Sequence, residues 1–212
     1  MLRKVMLGGG AVALAVGVMA GVGAGVASAV PPPINFAGTA TCTAYGSVHF
    51  GTPATNTGTG STSVTVKAKL QSCSAPVVSG ATLVSGNLSL TGTTTPNCGP
   101  LLSGSPMALS GQIKWKASGG KAATSTVTVS GGSLLYDLTY DSIDVNLPTS
   151  VSAGSFAGET GTFGDSAALT PFLLSSKSGT VLQGRCPGNG LKAVPFGKPA
   201  GSLSGTVTIA GV

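Results

Sequence analysis

From Ser63 to Ser72 the side chains alternate: Val64, Val66, Ala68 and Leu70 share one face, and Thr65, Lys67, Lys69 and Gln71 the other. Only an extended chain sorts residues with a period of two. The same period runs through Thr39 to Phe50, where Ala40, Cys42, Ala44, Val48 and Phe50 oppose Thr41, Thr43, Tyr45, Ser47 and His49. Between the two stretches lies Gly51 to Gly60, a Thr- and Gly-rich segment with Pro53 and Asn56 that is suited to a turn. The pair therefore forms a long β-hairpin centred near Asn56 and Thr57.

The rest of the chain repeats the pattern in shorter pieces. Strands are expected at Asn87 to Thr91, Leu109 to Ala117, Ala123 to Val129, Leu134 to Asp141, Ile143 to Leu147, Thr180 to Arg185, Lys192 to Phe196 and Ser202 to Ile209. Gly119-Gly120, Gly131-Gly132 and Gly188-Asn189-Gly190 separate them. In Ile113-Lys114-Trp115-Lys116-Ala117 the apolar residues point inward. Only 8% of residues are charged, and Thr and Ser supply the polar face, which suits strands and not long amphipathic helices. About ten short strands with glycine turns argue for an all-β, single-domain antiparallel β-sandwich or a partly or fully closed barrel.

The first residues carry targeting features. Arg3 and Lys4 precede an uncharged run from Val5 to Val26, and Ala27-Ser28-Ala29 supplies small residues for a signal peptidase. Residues 1–29 are expected to be a cleaved signal peptide and 30–212 the secreted β-domain, with no transmembrane anchor after cleavage. The competing reading is an uncleaved anchor, disfavoured by the glycines of the run and by the lack of a basic cluster after it. The mature segment keeps nine Lys/Arg against five acids, a net charge of +4. That excess is no nucleic-acid footprint, and it favours weak attraction to an anionic envelope. Pro31-Pro32-Pro33 opens the domain as a stiff, extended lead-in.

Four cysteines in an exported chain imply two disulfides. Three connectivities are possible. The hairpin favours Cys42 with Cys73, provided a one-residue bulge at Gly46 or near Ser72 corrects their phase, and Cys98 then pairs with Cys186.

The stretches Cys42 to Phe50, Val64 to Cys73, Ile113 to Lys116, Gly154-Ser155-Phe156-Ala157-Gly158, and Cys186 followed by Gly190-Leu191-Lys192 resemble a group of small secreted actinobacterial proteins. The resemblance implies export, β architecture and two disulfides. It brings no activity and no site residues with it.

Catalytic groups are scarce. His49 is the only histidine, no Gly-x-Ser-x-Gly elbow occurs, and no phosphate-binding loop motif is present. No catalytic residue is assigned. All five acids fall between Asp137 and Asp165, and Asp141, Asp144 and Glu159 are the candidates for a calcium site, with a turn expected at Ser142. The competing reading is a solvated strand face. Tyr136 and Tyr140 could form a stacking platform for a sugar, or be core. Lys67/Lys69 and Lys114/Lys116 read as solvent-side lysines guarding strands, with a lysine-lined binding face as the alternative. The expected function is a non-catalytic secreted or envelope-associated β-domain with a binding or structural role, whose partner is a cell-envelope component or an extracellular protein. The alternatives are an envelope β-barrel of pore-like type and a secreted hydrolase.

Overall fold

The computed structural model describes residues 30–137, 142–164, 186–196 and 205–210. The chain separates into two units, Met1–Pro31 and Pro32–Val212, and the architecture that follows belongs to the second. Among the described residues it holds nine strands: β1 (Ala40–Ala54), β2 (Thr62–Ser74), β3 (Thr82–Thr94), β4 (Met107–Ser118), β5 (Ser125–Asp137), β6 (Ser142–Ala153), β7 (Thr160–Gly164), β8 (Leu191–Phe196) and β9 (Gly205–Ala210). One short helix, α1 (Cys98–Leu102), lies between β3 and β4.

Each of β1 to β6 pairs antiparallel with the next. Strand β9 then joins β7 to β1, opposite Thr160 to Phe163 on one side and Ala40 to Ala44 on the other. The ring closes as an eight-strand antiparallel barrel, and β8 is added on β1 from Gly46 to Ala54. Strands β8 and β9 lie end to end along the same edge of β1. The sandwich is thus set aside in favour of the closed barrel, because β1 has hydrogen-bonded neighbours on both edges.

Alternation decides what fills the ring. Val48, Val64, Val66, Leu70, Leu90, Ile113, Val127 and Leu134 are all buried and point inward. An eight-strand barrel is just wide enough for such side chains to fill it. Both ends are sealed. At one, Ile34 pairs with Ala122, and the Phe36 carbonyl accepts a hydrogen bond from the Phe156 amide. Phe36 stacks on Phe156, whose ring meets Trp115 edge-on at 5.4 Å. At the other, the Cys98 amide donates to the Thr55 carbonyl, the Asn56 amide donates to the Cys186 carbonyl, and Leu101 of α1 is buried. Asn97 caps α1 by accepting from the Gly99 amide.

Both disulfides are present with the expected pairing, Cys42–Cys73 and Cys98–Cys186. The hairpin register is Val48↔Val66 and Phe50↔Val64, centred on residue 57. It slips between Thr41↔Ser74 and Thr43↔Gln71, which leaves one extra residue on β2. Ser72 takes φ 50° there, so the phase-correcting bulge is at Ser72 and not at Gly46.

Two sequence expectations need correction. Gly131-Gly132 does not end a strand: β5 runs through it, with a register shift against β6 and Gly131 at φ 76°. The glycines bend one strand that the sequence suggested were two. Ser142 is not a turn but the first residue of β6, paired with Asp137. Strand β7 and helix α1 were not foreseen, since Thr160–Gly164 is short and glycine-rich and Cys98–Leu102 makes barely one turn. The strand expected at 180–185 lies outside the described residues, as do residues 1–29.

Candidate functional site

The inside of the barrel is occupied by its own side chains, so candidate chemistry must be sought on the outer face. The outward residues of β1 to β4 form rows, because antiparallel register sets them directly opposite one another. Tyr45 faces Lys69, Lys69 faces Asn87, and Asn87 faces Lys114. In the next row Ser47 faces Lys67, Lys67 faces Ser89, and Ser89 faces Gln112. All of these but Ser47 border a recess of about 800 Å³, which Thr91 and Ser110 continue along the strands.

A barrel is convex outside, so the recess needs a cause. Its floor includes Gly46 and Gly111, both at inward-parity positions. A Cβ on Gly46 would fall 2.0 Å from the Lys67 carbonyl oxygen, and one on Gly111 2.0 Å from that of Ser89. Only glycine permits so close an approach between strands, and the outer surface dips where it occurs.

The rim is basic. Lys67, Lys69 and Lys114 are exposed. Lys67 and Lys69 are about 7 Å apart along β2, and Lys69 and Lys114 about 10 Å apart across β3, by ordinary strand spacings. Strands β1 to β4 contain no Asp or Glu. Tyr45 is half-buried at one edge, where its hydroxyl accepts a hydrogen bond from Gln71 Nε2 at 3.2 Å. The backbone polar groups of the floor are engaged in the ladders, which leaves recognition to side chains.

No protein-family model, curated protein or solved structure matches the chain. The chemistry of the recess must therefore speak for itself.

The sequence candidates are distributed differently. Lys67, Lys69 and Lys114 are brought together, whereas Lys116 lies one row away, opposite Ser85. Asp144 pairs with Leu135 near the start of β6, while the Glu159 carbonyl accepts from the Val151 amide near its end. Seven residues of strand put the two about 20 Å apart, too far to share an ion. Glu159 Oε1 instead accepts from the Gly38 amide at 3.4 Å. Asp141 and Tyr140 lie outside the described residues, and Tyr136 occupies the position opposite Ile143. Among the described residues no group of three His, Cys, Asp or Glu side chains could hold a metal. His49 is exposed on the outer face, 2.7 Å from Ser47 Oγ. Trp115 is core, as its apolar neighbours suggested. Asn87, Gln112 and Tyr45 escaped notice as a set, because nothing local in the sequence announces which strands are neighbours. Their one signal was outward parity.

Proposed function

We propose that the chain is exported and works outside the cell, or at the envelope surface, as a non-catalytic β-barrel domain that binds a partner through its outer face. The observation that carries this reading is the orientation of the barrel: apolar residues turn inward to a filled core, and Thr, Ser, Lys and Gln turn outward. A lipid-embedded barrel needs the opposite arrangement, with an apolar band facing outward. Among the described residues the exposed large apolar side chains are Val30, Val77 and Val84, which do not make such a band. Two disulfides favour an oxidising compartment. The outward-facing basic recess, free of acids on its four strands, favours binding over structural filler and over hydrolysis, for which His49 has no carboxylate partner on its own hairpin.

Fractionation of producing cells tests the reading. Recovery of the mature chain in the culture filtrate or in a salt wash, without detergent, is the expected result. Recovery only with detergent, or retention in the cytosol, overturns it.

A further inference from the structure

We propose that the recess across β1 to β4 binds a carboxylate-bearing polysaccharide strand. Lys67, Lys69 and Lys114 would pair with its acidic groups, while Asn87, Gln112 and Tyr45 would hydrogen-bond its hydroxyls. The inference rests on the reading of the chain as an exported binding domain and names the ligand class of that site.

Three properties of the recess point to this ligand. Its cations are separate point charges, about 7 and 10 Å apart, and they suit acidic groups repeating along a chain better than one compact anion. An amide sits between two of them, in the row Lys69–Asn87–Lys114, and a second lies beside it at Gln112. Side-chain amides offer both donors and acceptors, which is what a ring of hydroxyls requires. The recess, about 800 Å³, has the size of a site for a short oligomer.

Other occupants fit less well. Compact phosphate binds best where guanidinium forks or turns of free backbone amides converge with its cations. Here the strands' amides are committed to ladders, and β1 to β4 contain no arginine. Single-stranded nucleic acid needs aromatic stacking platforms, and among the described residues Tyr45 is the only aromatic at the recess. An acidic peptide would gain most by adding to a free strand edge, and each of β1 to β4 is paired on both sides.

The test is calorimetric titration of the mature chain, 30–212, with polygalacturonate fragments. Dextran, polyphosphate, polyglutamate and single-stranded DNA serve as the comparison ligands. Polygalacturonate is expected to bind in a salt-sensitive manner, and dextran not to bind. The triple variant Lys67→Ala/Lys69→Ala/Lys114→Ala should bind about tenfold more weakly or worse, with an unchanged melting temperature, since all three side chains are exposed. The variant Lys121→Ala/Lys192→Ala, with the same loss of positive charge per residue but outside the recess, should bind as the parent does. Asn87→Ala should weaken polygalacturonate binding and leave any residual polyphosphate binding untouched. The inference falls if polygalacturonate does not bind, if polyphosphate, polyglutamate or DNA binds as tightly, or if the control variant loses as much as the triple variant. A chain found outside the cell that binds no polyuronate loses the ligand and keeps its proposed location. One that binds polyuronate yet remains in the cytosol loses the location instead.

Discussion

Ser125 is fully buried, and its hydroxyl has two partners: it accepts from Trp115 Nε1 at 2.7 Å and donates to the Ser155 carbonyl. Ser155, also buried, accepts from the Phe36 amide and donates to the Ile34 carbonyl. Two serines thus satisfy the polar groups that the lead-in, the Gly154–Gly158 loop and the sole tryptophan bring into an otherwise apolar end of the barrel. Phe156, next to Ser155, lies in the left-handed region at φ 64°, a conformation that its ring contacts with Phe36 and Trp115 hold in place. Ser125→Ala strands an indole N–H and a carbonyl oxygen without partners in the core, and each such loss costs about 1–3 kcal/mol. The expected destabilisation is about 2–6 kcal/mol, read from the urea midpoint. In a Ser125→Ala background, Trp115→Phe should cost less than it does alone, since the donor is already unsatisfied. Additive losses would show that the indole and the hydroxyl do not interact as described.

At the scale of elements, the two disulfides have different tasks. Cys42–Cys73 closes a hairpin that its own ladder already brings together, across 31 residues. Cys98–Cys186 ties α1 to the turn before β8, across 88 residues, where no ladder connects the two. On the loop-entropy model these bonds stabilise the fold by about 3.7 and 4.6 kcal/mol, before any strain. The Cys98→Ala/Cys186→Ala variant is therefore expected to lose more stability than Cys42→Ala/Cys73→Ala, as measured by denaturant unfolding of the two oxidised proteins. An equal or reversed order would mean that the sealed end of the barrel holds without its bond. The hairpin, its bulge and both pairings were legible in the sequence, because parity and a symmetric turn are local properties. Strand β5 was read as two because a Gly-Gly pair marks a turn as readily as a bend. Packing of Val127, Val129 and Leu134 on the same core chooses the bend.

At the scale of the molecule, closure rests on β9. Its six residues pair with β7 on one side and with the first residues of β1 on the other, and they join parts of the chain more than 160 residues apart. A chain ending at residue 204 would expose the facing edges of β7 and of the first part of β1, each a template for pairing with another copy. Such a truncation is expected to aggregate on refolding, and size-exclusion chromatography after dilution from urea checks it. A monomeric, cooperatively folded product would show that the ring does not depend on its last strand. Pairing over such separations also places the fold among the slowly closing topologies, in which loop entropy is lost before the last ladder forms.

By itself, the sequence determined which residues turn inward, that the polypeptide is all β and that Trp115 is core, and it favoured one of three possible cysteine pairings. Each of these follows from the two-residue period, from turn chemistry or from a symmetric hairpin, all of which act over short stretches of chain. The tertiary structure alone decided that the sheet closes into a barrel, that Asp144 and Glu159 lie far apart, and that Lys67, Lys69, Asn87 and Lys114 gather around one recess. Alternation assigns a side chain to a face but says nothing of its neighbour on the next strand. That neighbour is set by register across the ladder, and register is settled only when the whole core packs at once.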